Sequence, residues 1–214
     1  MIIGIDMMGG DFAPLEAVKG INLYLSNHNI PPALLLIGDK IQIEQLLTTH
    51  KVPTENIKIV HAEQVIDMHE HPTRALKEKQ KSSIAIGFHL LASGKMDAFV
   101  SAGNTGAMLV GALFSIKAIE GVIRPTISTI IPKMNGGTGL LLDVGLNADC
   151  KPEQLNQFAI MGALGAPDAP PGVERQTLRV LRPPRAEALH RRRRNGRQRV
   201  VVTDARPRGQ QILG

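Results

Sequence analysis

From Ile2 to about residue 163, short apolar or β-branched runs, several of them unbroken, alternate with stretches of helical periodicity. The runs cover residues 2–5, 33–37, 57–60, 98–100, 126–131 and 140–142. Between them, Leu15, Val18, Ile21 and Leu25 fall mostly on one helical face, with Ile43, Leu46 and Leu47 turned inward on the next predicted helix. The spacing predicts helices over 14–26, 41–49, 74–80, 82–93, 108–119 and 151–162. Pro14 pre-sets the first start, and Ser82-Ser83 caps a helix that stops at Gly94. A strand that is apolar at every position, not every second one, is buried on both faces. That requires helices above and below a parallel sheet. The pattern predicts an α/β fold: a Rossmann-like three-layer α/β/α arrangement with a mostly parallel sheet.

In open α/β sheets, ligands bind beyond the carboxyl ends of the strands. Three predicted strands end there in polar residues: Asp6, Ser101 and Asp143. The most informative stretch is 97–109, DAFVSAGNTGAML, which reads as strand, Gly-rich turn and helix start. Such a turn points backbone N–H groups and a helix N-terminus at one small space, which suits a phosphate or an oxyanion. Gly103 and Gly106 permit close backbone approach, while Ser101, Asn104 and Thr105 add side-chain donors or caps. An ordinary strand-to-helix turn has the same composition. If the three strands are parallel neighbours, Asp6, Gly9, Gly10 and Asp11 after the first and Asp143 and Asn147 after the third line the same crevice. Two bare carboxylates repel phosphate, so Asp6 and Asp11 read as orienting groups, with Asp11 as a helix cap the alternative. Asn147 is a donor candidate, and Asp149 a candidate cap for the helix opening at Lys151.

Four cations, Arg74, Lys77, Lys79 and Lys81, lead up to the Ser82-Ser83 cap and read either as an anion-attracting patch or as a solvated helix face. Lys133 follows a predicted strand and is a further anion contact candidate. His69-Glu70-His71 suggests a metal pair, but no third ligand of suitable spacing accompanies it; it reads as a polar loop with His71 a candidate general acid or base. The single Cys150 excludes an internal disulfide framework, fits a reducing compartment and reads as structural. There is no apolar run long enough for a spanning helix, and MIIGIDMMGGD lacks the basic start of a secretory signal.

The net charge of +6 is unevenly distributed. Residues 1–164 carry 11 Lys and 2 Arg against 15 acidic residues, a net −2; residues 165–214 carry 12 Arg, no Lys and 4 acidic residues, a net +8. Pro167, Pro170, Pro171, Pro183 and Pro184 break any long helix there, and residues 191–194 are four consecutive arginines. Only 199–203, around Val200-Val201-Val202, reads as a strand; the rest of the tail is expected to be disordered.

Separated stretches carry a family resemblance. They are 3–14 (IGIDMMGGDFAP), Ser82-Ser83-Ile84 after a lysine-rich helix, 97–109, and 141–155 (LLDVGLNADCKPEQL) followed by Gln157-Phe158-Ala159. In this order and spacing, residues 1–164 resemble the bacterial PlsX-type phosphate acyltransferases, fatty acid and phospholipid synthesis proteins. The resemblance implies a phosphate acetyltransferase-like fold, here truncated. It implies an enzyme that forms acyl phosphate from acyl-[acyl-carrier-protein] and inorganic phosphate, without cofactor or metal. The implied partners are acyl carrier protein, the membrane glycerol-3-phosphate acyltransferase that takes the product, and a second copy in a homodimer. The implied location is cytoplasmic, peripheral to the inner membrane face. Asn104, Thr105 and His71 become the catalytic candidates. Asp6, Gly9, Gly10, Asp11, Ser101, Gly103, Gly106, Lys133, Asp143 and Asn147 become candidates for holding substrate or phosphate. Leu146 departs from the family's usual Ala. Past residue 164 the resemblance stops, and the composition break points to a frameshift or a fusion. An inactive relic of the enzyme, or an α/β domain whose Arg-rich tail binds nucleic acid or anionic membrane, are the alternatives.

Overall fold

The computed structural model describes residues 1–28, 30–134, 136–145, 147, 149–165 and 200–202. The expectations for Leu146 and for the tail other than 200–202 lie outside the described residues. The chain divides into two compact units, one built on residues 1–117 with the strand at 200–202, the other beginning at Ala118.

The first unit is the predicted α/β fold. In chain order it comprises β1 (Ile2–Asp6), α1 (Leu15–Ser26), β2 (Ala33–Gly38), α2 (Lys40–Thr49), β3 (Ile57–His61), α3 (Pro72–Glu78), α4 (Ser83–Ala92), β4 (Ala98–Val100) and α5 (Thr105–Ser115), with β7 (Val200–Val202) added from the tail. The sheet order is β3-β2-β1-β4-β7, and every pairing is parallel. The side-chain period of two sorts each strand between the two faces. Leu34 and Leu36 pack with Val18, Ile21, Ile43 and Leu47 of α1 and α2. Ile37 and Phe99 pack on the other face with Ala75, Ile84, Phe88, Leu91 and Met108 of α3, α4 and α5. This two-sided burial is why β2 is apolar throughout. Phe88 and Phe99 meet edge to face at 5.3 Å, and α5 approaches closely because Gly111 leaves room for Phe88, whose ring would lie 2.3 Å from an added Cβ.

The α4 cap is as predicted: the buried Ser82 hydroxyl accepts the Ala85 N–H at 3.3 Å. Ser82→Ala is expected to lower stability by about 1 kcal/mol in urea unfolding. The predicted Asp11 cap is not made. Pro14 occupies the N-cap position of α1 with no side-chain bond, and Asp11 is exposed on the preceding loop.

From β1 the chain steps outward to β2 and β3, then returns through α3 and α4 to lay β4 on the opposite side of β1. The switch in strand order therefore falls between β1 and β4. Their carboxyl ends, and the two loops after them, open the crevice in which ligands of open α/β sheets bind.

The second unit contains β5 (Ser128–Pro132), β6 (Thr138–Leu142) and α6 (Pro152–Gly165). It corrects one expectation. β6 is not a parallel neighbour of β1 and β4; it pairs antiparallel with β5 in a two-stranded sheet of their own. Nor is β6 buried, since none of its residues is fully covered and Leu141 is exposed. The connection is a hairpin, as the Gly-rich 135–139 segment suggests: the Lys133 N–H bonds the Gly137 carbonyl at 2.8 Å, and Gly136 takes a φ of +82°. Among the described residues no helix is long and apolar enough to cross a membrane.

Candidate active site

The crevice between β1 and β4 is organised by side-chain parity. Gly4 pairs with Phe99 and Ile5 with Val100, which brings Asp6 and Ser101 alongside one another. Phe99 faces α4 and α5, so Ser101, two residues on, faces them as well. Asp6 and Ser101 are both buried, and the Ser101 hydroxyl donates to Asp6 Oδ2 at 2.7 Å. The Met8 N–H donates to Asp6 Oδ1 at 2.9 Å. The Gly9 N–H and the hydroxyl of Ser83, the buried first residue of α4, also bond this carboxylate. Burial pushes the Asp6 carboxyl above the ordinary aspartate range, while the Ser83, Ser101, Met8 and Gly9 donors pull it back only in part. Asp6 is thus a hub enclosed by its own protein donors.

Gly9 and Gly103 shape the loops above it. A Cβ on Gly9 would lie 2.7 Å from the Gly103 carbonyl oxygen and 2.8 Å from Asp6 Oδ2. Gly10, with φ +89°, brings its Cα side against Ala102. Gly103, with φ +114°, receives its position from the Ser101 Oγ, which accepts its N–H at 3.0 Å. Gly9→Ala must push one loop off the other and is expected to cost about 2 kcal/mol, measured by urea unfolding.

Asn104 is the N-cap of α5: its Oδ1 accepts the Ala107 N–H at 3.2 Å. Its Nδ2 points the other way and donates to the carbonyls of Asp67, Met68 and Glu70 at 3.0–3.1 Å. The predicted substrate donor is therefore a clamp whose amide is engaged by the protein, tying the 67–70 loop to the start of α5. The carboxylate of Glu70 holds that loop from within, accepting the Asp67 N–H and pairing with Lys79, whose ammonium keeps the Glu70 carboxyl below its usual range. His71 follows at the N-cap position of α3, exposed and making no cap bond. Pro72 then packs on Gly106, where an added Cβ would sit 2.4 Å from the proline ring. The outcome is a helix N-terminus with an exposed Thr105 and a half-buried Gly106, whose two backbone N–H groups have no acceptor among the described residues.

The cation cluster ahead of α4 is largely spent on acidic neighbours. Arg74 pairs with Glu78, Lys79 with Glu70 and Lys81 with Glu63, which leaves Lys77 exposed and unpaired among the described residues.

In the second unit, Asp143 closes β6 in the left-handed region, φ +61°. Its Oδ1 accepts the Asn147 N–H at 3.2 Å and Nδ2 at 2.7 Å, and the Cys150 thiol donates to Oδ2 at 3.4 Å. Partial desolvation raises the Asp143 carboxyl, but the donors from Asn147, Cys150 and Thr126 outweigh it and hold the group below its ordinary range. Desolvation and this neighbouring carboxylate push the Cys150 thiol up, which fits a structural cysteine. Lys133 is not part of this cluster. It occupies the turn of the hairpin, whereas Asp143 lies at the open end, where its N–H bonds the Ile127 carbonyl. Five paired residues separate them, roughly 15 Å of strand, so the two cannot share one phosphate. The cap at the start of α6 comes from Gln154, whose Oε1 accepts the Lys151 N–H at 2.9 Å, and not from Asp149, whose carbonyl accepts from Arg124.

Two residues were not singled out as site residues from the sequence: Ser83, read as a helix cap, and Gln157, which clamps the second unit by bonding the Ile123 N–H and the Gly121 carbonyl. Strand parity does put Asp6 and Ser101 on the α4 face, but the approach of the α4 N-terminus needs tertiary packing.

The phosphate acyltransferase of Dictyoglomus turgidum is 47% identical over 162 residues, 76% of this chain and 48% of that protein. The phosphate acyltransferase of Endomicrobium trichonymphae is 44% identical over 167 residues, 77% of this chain and 49% of that protein. The chain thus spans about half the length of these relatives. Among solved structures, a phosphotransacetylase from Streptococcus pyogenes superposes with a TM-score of 0.55 at 19% identity, covering 74% of this chain and 51% of that one. The EutD phosphotransacetylase from Staphylococcus aureus gives 0.54 at 14% identity, covering 96% and 68%. These structures share the fold, a mostly parallel sheet flanked by helices. The family model described as "Fatty acid synthesis protein" matches residues 1–182, and the chain belongs to that family.

Proposed function

We propose that this chain carries the phosphate side of an acyl transfer site, forming acyl phosphate from acyl-[acyl-carrier-protein] and inorganic phosphate for phospholipid synthesis. The observation that carries this reading is the exposed N-terminus of α5, held at the strand-order switch by the buried Asp6 hub and the Asn104 clamp. The names of the relatives support the reaction class.

The N–H groups of Thr105 and Gly106, with the Thr105 hydroxyl, receive the phosphate dianion at the positive end of the helix. Gly9, Gly10 and Gly103 keep the loops close enough for that approach. A phosphate oxygen attacks the thioester carbonyl. The tetrahedral oxyanion collapses, the carbon–sulfur bond breaks and the thiolate leaves. His71, exposed beside Asn104's tethered loop, takes the proton that the phosphate dianion loses on attack and passes it to the leaving sulfur. The chemistry needs no enzyme nucleophile, because positioning two bound reactants and stabilising the oxyanion account for most of the rate. Cytoplasmic location, contact with the inner membrane face, pairing into a homodimer and delivery to a membrane glycerol-3-phosphate acyltransferase belong to the same proposal.

Incubating the chain with acyl-[acyl-carrier-protein] and inorganic phosphate, and trapping acyl phosphate with hydroxylamine as the hydroxamate, tests it. Phosphate-dependent hydroxamate is expected. Its absence, together with phosphate binding at α5, would select the inactive-relic reading.

We read residues 165–214 as sequence of separate origin, joined to an acyltransferase part at 1–164. The tail's 12 arginines with no lysine support this, as do matches that span 162–167 residues of each relative, although the family model's match extends to residue 182. Translating the gene in its other frames beyond codon 163 tests the frameshift form: family-like sequence is expected in one of them.

A further inference from the structure

Lys79 does more than pair with Glu70. It stands at the C-cap of α3, and its ammonium reaches back to the segment that precedes the helix. There it donates to the Val65 carbonyl at 2.7 Å and to Glu70 Oε1. The same Glu70 oxygen accepts the Asp67 N–H at 2.8 Å. Lys79 thereby fastens both ends of residues 65–70 to the end of α3. Asn104 Nδ2 holds the carbonyls of Asp67, Met68 and Glu70. His71 and Pro72 follow directly, and Pro72 packs on Gly106 near the start of α5. The Lys79 and Glu70 side chains are each only 29% exposed, whereas those of the Arg74–Glu78 pair on the same helix are 76% and 58% exposed. A partly desolvated ammonium held by two oxygens fixes its neighbours far better than a solvated surface pair does.

We infer that Lys79 is a positioning residue for the anion seat, acting through Glu70 and the 67–70 loop to hold Asn104 and Pro72 against the residues that present the Thr105 and Gly106 N–H groups. The inference rests on the phosphate site proposed above. Lys79→Met keeps an unbranched apolar stem but removes the charge and its donors. The Val65 carbonyl and the Glu70 carboxylate then lose their shared partner. The carboxylate turns toward water and draws the Asp67 N–H with it. The loop slackens on Asn104, and Pro72 loses its fixed place on Gly106. Loss of charge alone predicts a different order. Arg74 lies five residues closer to Pro72 than Lys79 does, roughly 7 Å of helix, so removing its charge would weaken anion binding at least as much.

The experiment is a titration of the full chain and its variants with inorganic phosphate at constant ionic strength, followed by the backbone amide NMR shifts of Thr105 and Gly106. Lys79→Met is expected to raise the phosphate dissociation constant about tenfold, a size in keeping with small misplacements of binding groups. Lys79→Arg, which keeps the charge and offers donors to both oxygens, is expected to stay within about threefold of the unaltered chain. Arg74→Met, which removes a cation from a solvated pair, is expected to change it less than about twofold. All three are titrated at a temperature where circular dichroism finds them folded. If Lys79→Met binds phosphate as the unaltered chain does, or if Lys79→Arg or Arg74→Met weakens binding as much as Lys79→Met, the positioning role is overturned while the phosphate site stands. If phosphate moves neither amide in the unaltered chain, the site itself is overturned and the role of Lys79 with it.

Discussion

Asp6→Ala is expected to lower stability by about 4 kcal/mol, whereas Asp6→Asn is expected to stay within about 1 kcal/mol of the unaltered chain at neutral pH. Alanine strands four donors: the Ser83 and Ser101 hydroxyls and the N–H groups of Met8 and Gly9. Asparagine can direct its oxygen to the two backbone N–H groups and its amide to the two hydroxyls, which can accept as well as donate. It also removes a buried charge. The pH dependence separates these effects. The folded state holds the Asp6 proton more tightly than the unfolded chain does, because burial raises its pKa. Its stabilising contribution is therefore full below the unfolded value of about 3.9. It declines as pH rises from there through the folded value. Asp6→Asn lacks this decline. The stability difference between Asp6→Asn and the unaltered chain, from urea melts between pH 4 and 8, should grow in favour of asparagine as pH rises. The carboxylates of Glu63, Glu70 and Asp143 are held low and run in the opposite direction, but they are common to both proteins and cancel in the difference. A flat difference would place the Asp6 proton elsewhere.

Asn104→Ala is expected to cost about 3 kcal/mol and to release the 67–71 segment. One side chain there caps α5 and holds three carbonyls of a distant loop. Asn104→Asp distinguishes the two jobs. Aspartate caps a helix as well as asparagine, but it offers no donor and sets a charge against the carbonyls of Asp67, Met68 and Glu70. Hydrogen exchange of the amides at 67–71 should accelerate in both variants by a factor of ten or more. If Asn104→Asp protects them as well as asparagine does, the clamp is dispensable and only the cap matters.

Much of the first unit was legible because its signals are local. Short apolar runs, interrupted only by Lys58 in β3, gave β1, β2, β3 and β4, and serine or asparagine caps marked α4 and α5 close to where they begin. Val200–Val202 likewise forms the strand its three valines suggest. The limit of that reasoning is β6. Leu140-Leu141-Leu142 looks like a doubly covered strand, yet an apolar run does not name its partner, and here it pairs antiparallel across a Gly-rich turn. Within the candidate site, the Gly-rich turn was recognisable, but the roles of its side chains were not. Asn104 looked like a donor to substrate because its engagement with Asp67, Met68 and Glu70 lies more than 30 residues away in sequence. The pairing of Arg74, Lys79 and Lys81 with acids was hidden in part for the same reason, since Glu63 and Glu70 belong to the preceding loop.

The bond between Ser101 and Asp6 joins residues 95 apart in sequence. Bringing the ends of such a loop together costs entropy on the order of 4 kcal/mol beyond the fixed cost of closure. No local turn can recover it in advance, so β4 docks only when β1, β2 and the helices between them already form a surface to receive it. Hence the crevice has a place in time as well as in space. A chain emerging from the ribosome carries α1, α2 and the β1–β2–β3 segments long before β4 is made. Until β4 closes on β1, the two walls of the crevice are apart and the Asp6–Ser101 bond that joins them is unmade.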